Sequence, residues 1–432
     1  MRLRIILPLA AVAACGPIGG TGHDVAPSAV VPDPAGSSRY EETLDGAVDN
    51  LCLAAADDPR FTGPERRLLQ SLTGIYGGNT AAAMSDLARF VEEGHTGRLQ
   101  AQAVSGLAAL YEGSSRWTAL AELVERHGDE AENPSEIQQN ATLAREFAGQ
   151  PPETYEFAGA SAQVRTSVNR FGQPMLEVRA NGHKREYLLD TGASLSVLTR
   201  SEVERIGATE LGEEAALGQT ATNIKVEVLP GLLQELQLGE LTIRNHPIGV
   251  VEDDVLEVKL AGVTILDLDG IVGWPLFQEV RVEIDYAGGE TVLRPFEDFA
   301  ETGRAPRNLF WLGYPIVIAA GGDGTPLFFG FDTGAAGTSI NTHVITKTGA
   351  RVQSGGRGML LGAGGGEAVQ KRKVHDFVFH LAGRRYEFPE IGVADGAKSA
   401  VLVEPDGMLG SDLLQGARVI VDLAEGVFAV ER

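Results

Sequence analysis

The chain has 432 residues, with 36 Lys and Arg against 59 Asp and Glu, a formal net charge of −23. That length exceeds one ordinary core and indicates two or three domains, and so acidic a chain is repelled by phosphate, which argues against nucleic acid as a partner. With 43% hydrophobic and 22% charged residues it has the composition of a folded soluble protein, while only two cysteines, Cys15 and Cys52, exclude a disulfide framework and any thiolate-rich zinc site.

Arg2 and Arg4 precede the apolar run Ile5 to Ala14, too short to cross a bilayer as a helix and of the form of a secretory signal. The run ends in Val12-Ala13-Ala14-Cys15, which resembles the lipobox of bacterial lipoproteins. The resemblance implies removal of residues 1–14, acylation of Cys15, and a lipid-anchored protein of the bacterial cell envelope facing the periplasm; the alternative is an ordinary cleavable signal in which Cys15 is incidental. Cys52 is expected to be an inert buried thiol. Residues 16–38 hold five Gly, four Pro and four Ser or Thr, 13 of 23, so residues 15–38 read as a flexible tether.

From 39 to 150 the apolar period is helical: Leu68, Leu72, Ile75; Met84, Leu87, Val91; Val104, Leu107, Tyr111; Trp117, Leu120, Val124. Breaks at Gly77-Gly78, Gly94 to Gly97 and Gly113 predict antiparallel helical hairpins. Leu110-Tyr111-Glu112-Gly113 with Trp117, Ala119 and Leu120 faintly resembles a tetratricopeptide repeat, which would imply a protein partner for this all-α segment; a plain supporting bundle is the alternative.

After Pro151 the pattern becomes alternating apolar and polar residues between Asn-Gly, Gly-Gly and Gly-Asp turns, predicting an all-β half. That half is duplicated. Leu188-Leu189-Asp190-Thr191-Gly192-Ala193 matches Gly330-Phe331-Asp332-Thr333-Gly334-Ala335 at an offset of 142, and Ile248-Gly249-Val250 matches Ile391-Gly392-Val393 at 143. Asp269-Gly270-Ile271-Val272-Gly273 matches Asp406-Gly407-Met408-Leu409-Gly410 at 137, as do Arg281, Val282 and Asp285 with Arg418, Val419 and Asp422. The lobes predicted are 153–300 and 306–432.

An apolar strand running into Asp-Thr-Gly sets a carboxylate on a tight turn just past a rigid strand. Two such lobes can face two carboxylates together; the pair then holds one proton over a wide pH range, giving an acid and a base in one place. A water between them could attack a peptide carbonyl without metal, cofactor or covalent intermediate. These residues resemble the aspartic protease superfamily, its retropepsin-like branch above all, over about 280 of 432 residues. The resemblance implies a duplicated, bilobal, all-β acid protease fold and an extended polypeptide substrate, with Asp190 and Asp332 as the catalytic pair. It further implies that Thr191 and Thr333 bond across the lobe interface, that Gly192 and Gly334 let the backbone donate toward the carboxylates, and that Ile271-Val272-Gly273 and Met408-Leu409-Gly410 pack under the two loops. Asp269 and Asp406 read as turn or capping residues.

Two departures stand out. Ala193 and Ala335 occupy positions where pepsin-like enzymes usually carry hydroxyls that stabilise the ionised pair, so a mildly acidic to near-neutral optimum is expected. Flap candidates are Gly364 and Gly365 in the run Gly362 to Gly366, and only about Ala215 to Lys225, without tyrosine, in lobe one. The glycine run lacks the Gly-Lys-Ser/Thr ending of a phosphate-binding loop, and Gly192 to Ser196 lacks the closing glycine of a nucleophile elbow. His375 and His380, five apart in a predicted strand, face opposite sides and do not suggest a metal site. The competing readings are a non-catalytic peptide-binding lipoprotein that uses the lobes as a clamp, and a protein whose working part is the helical segment.

Overall fold

The computed structural model describes residues 63–73, 80–213, 215–220, 224–260, 262–296, 307–311, 314–394 and 405–431, together with Phe61 and the short strands Ile5–Leu7, Val12–Ala13 and Thr21–Asp24. Cys15, Cys52, Ile75 and the Gly77-Gly78 break lie outside the described residues. Thr21–Asp24, within the stretch read as a tether, pairs antiparallel with Arg384–Glu387.

Five helices come first: α1 (Gly63–Thr73), α2 (Thr80–Glu92), α3 (Arg98–Gly113), α4 (Trp117–His127) and α5 (Pro134–Ala148). Gly94 and Gly97, at φ +70° and +65°, turn the chain between α2 and α3 in a region other residues rarely enter. Pro134 opens α5 at a position whose N–H has no helical partner. The apolar stripes face inward, with Leu68, Leu72, Met84, Leu87, Val91, Val104, Leu107, Leu120 and Val124 all buried.

Each lobe behind the helices is a closed six-stranded barrel, and the two share one strand order. In the first, Pro174–Ala180, His183–Leu189, Gly270–Val272, Ser196–Thr199, Leu241–Val251 and Lys225–Leu238 follow one another, and the last pairs back to the first through Leu236 and Ala180. In the second, Pro315–Gly321, Pro326–Phe331, Gly407–Leu409, Ser339–Ile340, Arg384–Val393 and Gly365–Leu381 do the same, closing through Ala320 and His380. Closure leaves few unpaired edges, and Arg384–Val393 alternates buried with less buried residues along most of its length.

A shared sheet joins the lobes. Val280–Asp285 pairs antiparallel with its own duplicate Arg418–Asp422, and Glu283 lies opposite Ile420, its counterpart at the 137-residue offset. The pseudo-twofold axis therefore passes through that pair. Burial alone would raise the Glu283 carboxyl, but Arg418, Arg281 and Arg294 around it hold it below the usual range.

The helices rest on both lobes. Leu143 and Phe147 of α5 pack with Ala216, Val226 and Val228 of lobe one, Trp117 tilts against Phe147 at 5.0 Å, and α3 meets lobe two where the Trp311 indole lies over Gly113. A Cβ on Gly113 would sit 1.4 Å from Trp311 Cη2. Gly113→Leu should therefore lower stability by about 1–3 kcal/mol through overpacking, seen as a fall in the urea midpoint. An unchanged midpoint would mean that the bundle does not bear on the lobe there.

Candidate active site

Both Asp-Thr-Gly loops leave an apolar strand, and in each lobe a short strand from the second pattern is wedged beside it. Ile271 and Val272 pair in parallel with Leu188 and Leu189, and Met408 and Leu409 with Gly330 and Phe331. The ladder continues into the loops: Asp190 N–H donates to Val272 O at 2.9 Å, and Asp332 N–H to Leu409 O at 3.0 Å. The second-pattern glycines are required by close approach. A Cβ on Gly273 would lie 2.7 Å from Leu195 O, and one on Gly410 would lie 2.9 Å from Ala335 O.

The loops meet at the lobe interface through their threonines. Thr191 N–H donates to Thr333 Oγ1 and Thr333 N–H to Thr191 Oγ1, each at 3.0 Å. The hydroxyls donate onward, Thr191 to Phe331 O at 2.8 Å and Thr333 to Leu189 O at 2.6 Å. Both side chains are fully buried, and each hydroxyl gives its one proton and accepts one N–H across the interface.

Asp190 and Asp332 stand above this knot, almost fully buried. Asp190 Oδ1 accepts from Gly192 N–H at 2.9 Å, and Asp332 Oδ1 accepts from Ala335 N–H at 3.0 Å. Gly334 serves in addition as space: a Cβ there would be 2.5 Å from Asp190 Cγ, so the first carboxyl lies directly against the opposite loop. Burial, then the negative charge of Asp332, pushes the Asp190 carboxyl well above its ordinary range. Burial likewise raises Asp332, to about 6, held down by hydrogen bonds from Asp190, Tyr314 and the Ala335 and Gly334 backbone. Two carboxyls so placed retain a shared proton near neutrality.

Several contributors carry no motif. Gln173 Nε2 crosses the interface to donate to Gly334 O, and Tyr314 is buried against the dyad. Ser196 Oγ accepts from Gly273 N–H at 3.0 Å and meets His246 Nε2 at 2.8 Å, while His246 Nδ1 meets Glu153. Lobe two uses Thr338 in the same way, its Oγ1 accepting from Gly410 N–H at 3.0 Å and donating to Asp412 at 2.7 Å. Internal alignment carried past the motifs finds two of these pairs: Gly172-Gln173-Pro174 against Gly313-Tyr314-Pro315, and Ser196 against Thr338. His246 and Glu153, 93 residues apart in sequence, leave no such signal.

Of the remaining sequence candidates, Asp406 is buried, accepting from Phe328 N–H and pairing with Lys347 Nζ at 2.7 Å, whereas Asp269 is half exposed beside Arg205. Gly364 and Gly365 form the tip between Val352–Gly362 and Gly365–Leu381, at φ +73° and +130°. That tip reaches lobe one: Gly364 N–H donates to Val255 O at 2.8 Å, and Ile224 and Val226 lie beside it. The lobe-one hairpin runs Ala216–Thr220 to Lys225, its turn at 221–223 outside the described residues. Among the described residues no group of three or more His, Cys, Asp or Glu is placed to hold a metal.

Residues 176–276 match the family model described as aspartyl protease. Among solved structures, the chain is similar to a retropepsin-like aspartic protease from Rickettsia conorii, at 20% identity over 34% of this chain and 97% of that one, with a TM-score of 0.23. It is also similar to the aspartic proteinase from Irpex lacteus, at 13% identity over 63% of this chain and 97% of that one, with a TM-score of 0.37. Among curated proteins, polynucleotide 5'-hydroxyl-kinase GRC3 of Yarrowia lipolytica is 31% identical over 175 residues, covering 36% of this chain; the chain spans 29% of that protein's length. The chain thus carries two β-barrel lobes of one strand order and, within the first, a segment that matches the aspartyl protease family model.

The raised carboxyls have a consequence for stability. A folded-state pKa above the unfolded value favours folding while the group is protonated; that contribution is complete below about pH 4 and lost as pH rises through the folded value. For Asp332 the loss falls between the ordinary carboxyl range and about 6. Asp332→Asn should therefore raise the melting temperature at pH 7.5 and leave it nearly unchanged at pH 3.5. A lower melting temperature at pH 7.5 would contradict this.

Proposed function

We propose that the protein is an aspartic endopeptidase of the bacterial cell envelope, anchored by a lipid on Cys15 and acting on extended polypeptide. The observation that carries this reading is the facing pair Asp190 and Asp332, buried above reciprocally bonded threonines. The aspartyl protease match over residues 176–276 supports a proteolytic function of this general kind. One carboxylate takes a proton from a water as its oxygen bonds to the peptide carbon. The protonated partner gives its proton to the carbonyl oxygen, so the intermediate is a neutral gem-diol. Its collapse breaks the C–N bond: the amine nitrogen receives the proton taken from water, a diol hydroxyl returns one to the pair, and acid and amine leave.

An extended substrate suits edges that accept backbone. Ile5–Leu7 pairs in parallel with Gly218–Thr220 of the lobe-one hairpin, and Val12–Ala13 pairs antiparallel with Leu361 and Leu360 of the lobe-two hairpin. The helices would hold the lobes or recruit a protein partner, a role a tetratricopeptide-like module would fit.

Cleavage of a mixed peptide library between pH 3 and 8 should be lost in Asp190→Asn and in Asp332→Asn, and wild-type activity should fall as pH drops below about 6, where Asp332 takes up a proton. Peptide binding by a well-folded wild type with no cleavage at any pH would favour the clamp reading instead. Cys15→Ser should move the protein from the membrane to the soluble fraction of cells; continued membrane association would remove the lipid anchor from the proposal.

A further inference from the structure

The two lobes differ most informatively at the residue immediately before their first barrel strands. The duplicated positions read Gly172-Gln173-Pro174 and Gly313-Tyr314-Pro315. Both side chains are buried, and both serve the second Asp-Thr-Gly loop: Gln173 donates to Gly334 O, and the Tyr314 hydroxyl lies beside Asp332, whose charged form its nearness favours. The ring fills the space over Gly330, where a Cβ would lie 2.9 Å from Tyr314 Cε1. The hydroxyl also lies 3.4 Å from Met408 Sδ, in a second pattern whose lobe-one equivalent is Ile271.

A phenol has one proton to donate. A thioether is a weak acceptor and an ionised carboxylate a strong one, so once Asp332 is charged the proton turns to it. Burial and both carboxylates push the Tyr314 phenol well above its ordinary value, so it stays a donor across the working pH range. Asp190 has no such help: its Oδ2 is buried and accepts from no donor among the described residues, and its one side-chain neighbour in the pair is Asp332 itself. An ionised oxygen there would be desolvated and unpaired, whereas a protonated one carries no net charge.

Resting on the proposed peptidase chemistry, we infer that Tyr314 is a positioning residue that breaks the symmetry of the pair, holding Asp332 as the ionised base and leaving the resting proton on Asp190. Tyr314 thereby supplies, from the residue that precedes a separate strand and to one lobe only, the hydroxyl that Ala193 and Ala335 lack. The water's proton goes to Asp332, and the carbonyl oxygen receives its proton from Asp190.

The test is a titration of the full chain carrying ¹³C at its aspartate carboxyls, with the pair assigned by the signals lost in Asp190→Asn and Asp332→Asn. The lower step should be dominated by the resonance lost in Asp332→Asn, and Tyr314→Phe should raise that step by about one to two pH units, the worth of one hydrogen bond to a charged group. The acid limb of kcat/KM should move by the same amount. Met408→Leu, which removes the competing sulfur, should leave the lower step in place or lower it. A lower step belonging to Asp190, an unmoved step in folded Tyr314→Phe, or a rise in Met408→Leu would overturn the assignment. Titration as expected in a wild type that cleaves nothing would sink the peptidase reading alone; cleavage with a Tyr314→Phe limb that does not move would sink the assignment alone.

Discussion

The exchange of hydrogen bonds between Thr191 and Thr333 is the contact on which the rest of the architecture depends. Each hydroxyl accepts one opposing N–H and donates to one opposing carbonyl, so neither lobe can supply half of it without the other. The two hydroxyls and the two N–H groups are buried, and separating the loops would leave each of these four without its partner, at a cost of about 1–3 kcal/mol apiece. The knot fixes how close the two strand ends come, and with it how deeply Asp190 lies against Gly334. The pKa displacement of the pair follows from that depth: burial first, then the neighbouring charge.

Duplication gives the site its frame. The same strand order, the same wedge of a short parallel strand beside each loop and the same hydroxyl beneath each second-pattern glycine recur in both barrels. The shared sheet, with Glu283 opposite Ile420, and the threonine knot lie on one local axis, so each lobe positions the other. Departures from symmetry concentrate around the pair. Lobe one ties its hydroxyl to His246 and Glu153, lobe two to Asp412, and only lobe two brings a phenol to its carboxyl. A symmetric site would give the two carboxyls like surroundings; these differences make them unlike.

Access to the site is set by elements outside the loops. The Gly364 tip of lobe two touches Ile224, Val226 and Val255 of lobe one, while α5 buttresses the lobe-one hairpin through Leu143 and Phe147. The apolar cluster around the site runs without interruption from α5 through Val226 and Leu195 to Ala363. An enclosure of this kind keeps bulk water from the carboxyls, which is what sustains their raised pKa values.

Much of this was legible in residue order because its causes are local. Period-two alternation gave the strands, the 3.6-residue stripes gave the helices, and the Asp-Thr-Gly triplets and apolar-apolar-Gly patterns located the loops, since only glycine tolerates such approach at Gly273 and Gly410. The near-constant offset announced two like lobes. What the sequence by itself determined, then, was the pair of lobes and the two Asp-Thr-Gly loops; the threonines' bonding across the interface was implied only by the family resemblance. Tertiary structure alone decided that Gln173 and Tyr314 both serve the second loop, that His246 stands behind Ser196, and that α5 leans on the lobe-one hairpin. The reason is physical: a turn is specified by the residues that make it, whereas a hydrogen bond between residues 161 apart, as from Gln173 to Gly334, exists only once two barrels have closed and docked.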